Sequence, residues 1–170
     1  VRGKLEPSPV LAVVGGQSFQ DHKAYRDRTL ARATTLGLEL GRDIVQVGTV
    51  DDAELPAWYH AADLLAFPSV NEGWGLAVLE ALAAGLPTVV TDIPVFREYL
   101  ADGEGVLFVP PHDATALAEA VRSILTDQAL AGRLSAAGPG VARRYPWSAS
   151  AEQHRAVYQR LALPRRPLPA

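Results

Sequence analysis

Short apolar runs alternate along the chain with longer segments that mix apolar and polar residues. Each run is about as long as an ordinary strand, and several of them end at a glycine or a proline. This pattern predicts five strands, over residues 10–14, 43–47, 63–67, 87–91 and 105–109. The remaining segments predict helices over residues 19–36, 52–62, 75–84, 113–126, 128–143 and 147–162.

The predicted strands are apolar throughout rather than alternating between apolar and polar residues. Strands of that kind are typical of a parallel sheet that helices cover on both faces. The predicted fold class is therefore α/β, a single domain with a doubly wound parallel sheet of the Rossmann type. Because such sheets bind ligands at the carboxyl ends of their strands, candidate sites lie in the loops that follow the strands.

Length and composition narrow the classes of protein to which the chain can belong. A chain of 170 residues fits one domain, and we assign residues 1–163 to it and expect the tail 164–170 to be disordered. The absence of Cys excludes disulfides, thiolate metal sites and a Cys nucleophile, and it fits a cytoplasmic location. No apolar run approaches the ~18 residues of a membrane span. The net charge of −3 argues against binding to nucleic acid.

Residues 67–92 carry the most specific chemistry in the sequence. Gly73, Trp74 and Gly75 lead from a predicted strand and its loop directly into a predicted helix. Glycines let a ligand approach the backbone closely, and the free N–H groups at a helix start favour an anion such as a phosphate. The alternative is an ordinary glycine-rich turn.

Glu80 is the only charged residue of a predicted helix that is apolar nearly all round. Such a helix is expected to be largely buried, and a buried carboxylate costs several kcal/mol unless it is hydrogen-bonded. A ligand rich in hydroxyl groups would supply those hydrogen bonds. The alternative is a structural carboxylate that backbone N–H groups or a distant Arg satisfy. Glu72, taken alone, is more typical of a solvated surface acid.

Seven residues separate Glu72 from Glu80, and the whole phrase PSVNEGWGLAVLEALAAGLPTVVTD resembles the Glu-x7-Glu signature of retaining glycosyltransferases of family 4, the glycosyltransferase group 1 domain. The resemblance covers residues 8–162. It implies the GT-B architecture of two Rossmann-like domains, with this chain as the C-terminal, donor-binding domain. The chain contains no Met, and we expect it to lack the first βα unit of that domain together with the N-terminal acceptor domain.

The resemblance also implies roles for single residues. Glu72 would contact the transferred sugar beside the reacting centre and so act in catalysis, and Glu80 would accept hydrogen bonds from the ribose of the donor. Backbone N–H groups would face the diphosphate and the sugar at Gly73, Trp74, Gly75 and Leu76. The nucleotide base would lie near Val47, Gly48, Val50, Pro68 and Ser69.

The implied function is transfer of a hexose from a nucleoside diphosphate sugar to an acceptor, with retention of configuration and without a metal or another cofactor. The Gly-Arg…Lys-Gly phrase that supplies basic groups in this family is absent, so we expect this chain alone to have little or no activity. Two alternatives stay open. In the first, the chain is a non-catalytic nucleotide or sugar-nucleotide binding module. In the second, it belongs to another GT-B enzyme such as a phosphorylase or an epimerase.

If a first strand is missing, the next strand is left as an exposed edge that a homo-oligomer would cover.

Three further motifs have simpler interpretations. Asp51 and Asp52 are adjacent, which fits a turn and a helix cap better than an Asp-x-Asp metal motif. Residues 138–140, Gly-Pro-Gly, are interpreted as a helix break. Trp147, Tyr158 and Leu161 on the last helix fit either ordinary helix packing or contacts with a preceding domain.

Overall fold

A computed structural model of the chain describes residues 5, 7–15 and 23–162. The strands are β1 (Leu11–Val14), β2 (Ile44–Gly48), β3 (Leu65–Phe67), β4 (Thr88–Thr91) and β5 (Val106–Val109). The helices are α1 (Lys23–Thr35), α2 (Leu55–Ala61), α3 (Leu76–Ala83), α4 (Pro94–Arg97), α5 (Ala114–Thr126), α6 (Gln128–Ala142) and α7 (Trp147–Leu161). The predicted α/β class and order of elements are confirmed. The short helix α4 is an addition, and the predictions for residues 19–22 and 164–170 lie outside the described residues.

All strand pairs are parallel, as predicted, but their hydrogen bonds divide the strands into two sheets. One sheet contains β1 and β2, and the other contains β3, β4 and β5 in that order. In the larger sheet, Thr88 at the start of β4 pairs with Leu65 on one side and with Val106 on the other. Parallel neighbours bring the carboxyl ends of their strands to one edge. The loops after β3, β4 and β5 therefore lie along a common edge.

Both faces of the three-stranded sheet are covered. Val90 of β4 packs in a cluster with Val78 and Leu82 of α3, whereas its neighbour Val89 packs with Ile124 of α5 on the opposite face. Because successive side chains of a strand point to opposite faces, a continuous apolar run fills two cores at once. The prediction of a sheet buried on both faces is confirmed for these strands.

Helix α6 packs against α3 at very short range. The Cα of Gly138 lies so close to the backbone of Leu82 that a Cβ at position 138 would meet the Leu82 carbonyl oxygen at 3.0 Å. A glycine is needed there because the two helix backbones approach each other directly. Pro139 lies inside α6, so the prediction of a helix break at residues 138–140 is wrong.

The first part of the described chain is much less buried. Leu11 and Val13 of β1 are 53% and 46% exposed, and α1 buries only Ala33. The expectation of covered faces is therefore wrong for β1. At the other end of the described residues, α7 buries none of its residues, and Trp147, Tyr158 and Leu161 are all exposed. Ordinary packing against the rest of the described chain thus does not explain these three side chains.

A search of the described residues for membrane-spanning segments finds no helix that combines the necessary length and apolar character.

Candidate functional site

The residues that were predicted to lie near the nucleotide base are at the carboxyl ends of two strands, and these strands belong to different sheets. Val47 and Gly48 end β2 and Val50 follows it, and all three are half-buried. Pro68 and Ser69 directly follow β3. Both segments therefore lie where a Rossmann-type sheet presents its ligand loops. Among the described residues no hydrogen bond joins the two segments.

Glu72 is oriented by the hydroxyl group of Ser69. The Ser69 hydroxyl donates a hydrogen bond of 2.7 Å to Oε1 of Glu72, and both side chains are half-buried. Ser69 lies two residues after the end of β3, so this hydrogen bond links the Glu72 carboxylate to the end of the strand. Glu72 is consequently not the fully solvated acid that its loop position alone suggests.

An aromatic cluster contacts the same loop at Trp74. The Tyr99 hydroxyl donates a 2.7 Å hydrogen bond to the Trp74 carbonyl oxygen, and the two rings are stacked with centroids 4.6 Å apart. Tyr145 packs edge-on against both rings. Burial raises the pKa of Tyr99, and the negative charge of Glu72 raises it further. Tyr99 thus remains a protonated donor that holds the loop at Trp74.

Gly75 joins this loop to α3 in a conformation that requires glycine. Its φ is 82°, and a Cβ there would lie 2.6 Å from a ring carbon of Phe96. Among the described residues, no side chain caps the helix that begins at the next residue, Leu76. The first N–H groups of α3 therefore point out of the helix end without a side-chain acceptor. Gly73 differs from Gly75, because a Cβ at position 73 would meet nothing within 4 Å.

The prediction of a buried Glu80 is wrong. Glu80 is exposed, and it shares an exposed stripe of α3 with Leu76 and Ala83, whereas the opposite side of the helix is buried through Val78 and Leu82. Positions 76, 80 and 83 repeat at helical spacing, so one face of an almost wholly apolar helix can still meet water. Since water reaches the carboxylate, its charge carries no large desolvation cost.

A tyrosine from another helix contacts Glu80. The hydroxyl of Tyr59 on α2 donates a 2.8 Å hydrogen bond to Oε2 of Glu80. Burial raises the pKa of Tyr59, and the hydrogen bond to Glu80 raises it further. Neither a backbone N–H group nor an Arg donates to the Glu80 carboxylate among the described residues. Both expected structural alternatives for Glu80 are therefore absent from this part of the chain.

The sequence analysis missed Tyr59 and Tyr99 as parts of the site. Neither tyrosine was among the predicted site residues. Their partners lie 21 and 25 residues away in the chain, so no local pattern reveals the contacts. A weak signal existed for both, because a tyrosine in a partly buried position usually finds a hydrogen-bond partner for its hydroxyl.

The basic side chain of Arg97, near the end of β4, is already paired with a carboxylate. Arg97 forms two hydrogen bonds, of 2.7 and 2.8 Å, with the Asp92 carboxylate and lies 3.6 Å from the centre of the Phe108 ring. The hydrogen bond from Arg97 holds the pKa of Asp92 below its usual value. Asp51, in turn, accepts hydrogen bonds from the N–H groups of Ala53 and Glu54, which confirms the predicted turn. The predicted helix cap is wrong, because the residue before α2 is Glu54 and no side chain of the described residues caps that helix.

The parallel strands and the loop that enters α3 define a Rossmann-like domain with a candidate ligand site at the carboxyl edge of its strands. The chain matches the family model of the glycosyl transferases group 1 over residues 1–141 and belongs to that family. The resemblance inferred from the Glu72–Glu80 segment is thereby confirmed.

Curated relatives and solved structures agree with this family. The chain is 41% identical over 117 residues to a phosphatidyl-myo-inositol mannosyltransferase of Mycobacterium leprae, matching 68% of this chain and 31% of the relative. It is 35% identical over 162 residues to a D-inositol 3-phosphate glycosyltransferase of a Nocardioides species, matching 92% of this chain and 35% of the relative. Sucrose-phosphate synthase from Thermosynechococcus elongatus superimposes with a TM-score of 0.81 at 33% identity, covering 91% of this chain and 39% of that one. The chain thus spans about a third of the curated relatives that it matches.

Proposed function

We propose that this chain is the donor-binding part of a retaining glycosyltransferase that transfers a hexose from a nucleoside diphosphate sugar to an acceptor. Membership of the glycosyl transferases group 1 family supports the reaction class. The observation that carries the proposal is the uncapped start of α3, with Glu72 in the loop before it and Glu80 one turn inside it on the exposed face. An anion and a polyol can be bound side by side there.

Each part of the site matches one part of such a donor. The N–H groups at the start of α3 suit the diphosphate, because a helix N-terminus stabilises negative charge. Glu80 suits hydroxyl groups of the ribose, and Glu72 suits those of the sugar. The leaving group is a nucleoside diphosphate, so preorganised donors aimed at its developing charge would lower the barrier.

Nucleotide binding gives the first test of the proposal. Isothermal titration of this chain with UDP, GDP and ADP at millimolar concentrations should show weak binding of at least one of them. Glu80→Ala should weaken that binding about tenfold, since hydrogen bonds to a charged group are lost. Absence of heat from all three nucleotides would contradict the donor-site interpretation.

Gly73→Ala tests the close approach of a diphosphate without disturbing the fold. Apart from its two chain neighbours, a methyl group at position 73 would meet no atom of the described residues within 4 Å, so stability should hold while nucleotide affinity falls. Gly132→Ala is the matched control, because its Cβ also meets nothing and it lies in α6, away from the loop. Equal nucleotide affinity of both variants would argue against backbone contact at Gly73.

The role of Glu72 is tested by measuring turnover with this chain joined to the acceptor domain that the proposal requires. Glu72→Ala should lower turnover by on the order of a hundredfold and change donor affinity much less, because the carboxylate acts beside the reacting centre. An unchanged turnover of the variant would remove Glu72 from the reacting centre.

Two further measurements test other parts of the proposal. The anomeric configuration of the product, followed by NMR, tests whether the configuration is retained. Turnover in excess EDTA tests whether the reaction is independent of metal ions.

A specific observation favours the second candidate function, a binding module without catalysis. The eleven candidate residues of the site include neither Lys nor Arg, and Arg97 near the sheet edge is paired with Asp92. Stabilisation of the leaving group would then depend on backbone N–H groups alone unless another part of the protein supplies a cation. Nucleotide binding together with no turnover, once the acceptor domain is joined to this chain, would favour this alternative.

Three other expectations stay predictions. They are a cytoplasmic location, a preceding acceptor domain that α7 contacts, and a homo-oligomer.

A further inference from the structure

Tyr59, which lies outside the Glu72–Glu80 segment, donates a hydrogen bond to a glutamate of the candidate site from another helix. It lies on α2, which precedes β3, and its hydroxyl reaches Oε2 of Glu80 on α3 at 2.8 Å. Tyr59 is half-buried whereas Glu80 is exposed. The fixed ring thus presents its hydroxyl to a carboxylate whose own side chain would otherwise be free to rotate in water.

The geometry points to Tyr59 as a positioning residue, which holds the Glu80 carboxylate so that it accepts hydrogen bonds from the two adjacent hydroxyls of a nucleotide ribose. This inference rests on the proposed function. A carboxylate has about four acceptor positions on its two oxygens, so the hydrogen bond from Tyr59 leaves room for both ribose hydroxyls. Fixing the side chain before binding removes part of the ordering cost that the ligand would otherwise meet.

The chemistry of Tyr59 suits this role near neutral pH. Because burial and the neighbouring carboxylate raise its pKa, the hydroxyl keeps its proton and remains a donor. The carboxylate oxygens of Glu80 can accept from hydroxyl groups that approach them. The Tyr59–Glu80 contact is also half in water, so its loss should cost the fold little and should act mainly on ligand binding.

Tyr59→Phe removes the donor and keeps the ring in place. We expect this variant to bind the tightest of UDP, GDP and ADP about fivefold more weakly than the unaltered chain does. The 2′,3′-dideoxy analogue of the same nucleotide lacks both hydroxyls, so its affinity should be the same for the two proteins. Tyr158→Phe, which removes an exposed hydroxyl from α7, should change neither affinity.

A double-variant cycle separates positioning from a merely structural role. With Glu80→Gln as background, Tyr59→Phe should no longer weaken binding of the natural nucleotide, because the charged partner is gone. Equal losses for the natural and the dideoxy nucleotide, or no loss for either, would overturn the role of Tyr59. Failure of the unaltered chain to bind any of the three nucleotides would instead contradict the proposed function itself, and this inference with it.

Discussion

Two regions of the described chain contain similar apolar strands, but one of these strands is buried and the other is exposed. The β4 sequence TVVT is completely buried, whereas the β1 sequence LAVV is more apolar but largely exposed. The difference lies in the helices. Apolar α3, together with α5 and α6, covers the sheet of β4, whereas α1 is rich in charged residues and buries only Ala33. An apolar strand is therefore buried only where the chain also supplies an apolar helix face to cover it.

The largest expected difference between these regions is the loss of stability when a leucine is replaced by alanine. Leu82→Ala in α3 should lower the free energy of unfolding by about 3 kcal/mol, because a fully buried side chain leaves a cavity. The matched variant Leu11→Ala in half-exposed β1 should cost about 0.5 kcal/mol or less. Urea unfolding measures both values. Similar losses for the two variants would show that β1 is packed as firmly as α3.

A pair of glycines in α6 sharpens the comparison within the covered region. Gly138→Ala should destabilise the chain by about 1–2 kcal/mol, because its Cβ would press on the Leu82 backbone. Gly132→Ala in the same helix meets no atom within 4 Å and should stabilise it by about 0.5–1 kcal/mol through helix propensity. Thermal unfolding should therefore shift in opposite directions. A gain from both variants would contradict the close approach of α3 and α6.

Alkaline pH should act on the covered region through Tyr99. Its pKa is raised in the folded chain, so the unfolded chain loses this proton first, near pH 10. The associated stability is fully present below pH 10 and falls as the pH rises above it, by up to about 1.4 kcal/mol per pH unit. Tyr99→Phe should make this fall less steep in urea unfolding between pH 9 and 11, and the part that remains should come from Tyr59, whose pKa is also raised. An equally steep fall in the variant would assign it to other groups.

The smallest expected effect concerns two threonines of β4. Thr91 Oγ1 is the buried side-chain polar atom that lacks a hydrogen-bond partner among the described residues, whereas Thr88 Oγ1 donates to the Leu86 carbonyl oxygen. Thr91→Val should therefore raise the stability by about 0.5 kcal/mol, and Thr88→Val should lower it by about 1 kcal/mol. Calorimetric melting temperatures test the pair, and a loss from Thr91→Val would reveal a partner for its hydroxyl.

Local patterns predicted the elements but not their surroundings. The apolar runs located all five strands, and the Glu72–Glu80 segment identified the family because its residues are contiguous. Helix α4 was missed because four residues starting at Pro94 carry too little periodicity to be recognised. The exposure of β1 could not be predicted from its own residues, since it depends on what covers them.

The predicted position of the candidate site stays a prediction, whereas the predicted burial of Glu80 was wrong. Glu80 was expected to be buried because the composition of its helix was averaged over all faces, whereas Leu76, Glu80 and Ala83 form one exposed stripe. The hydrogen bonds of Tyr59 and Tyr99 join segments far apart in the chain, so they follow only from the packed structure. Sequence thus proposes candidate ligand-binding residues more readily than it reveals the distant residues that contact them.

The uncapped start of α3 has a thermodynamic consequence. An anion bound at Gly75 and Leu76 would supply the acceptor that no side chain provides, so it would complete the helix as well as occupy the site. Helix α3 is also packed in the main core, and ligand occupancy should therefore be linked to folding of the covered region. By mass action, a ligand at a hundred times its Kd adds about 2.7 kcal/mol to stability. The melting temperature of this chain should consequently rise with the concentration of any ligand that binds at this helix end.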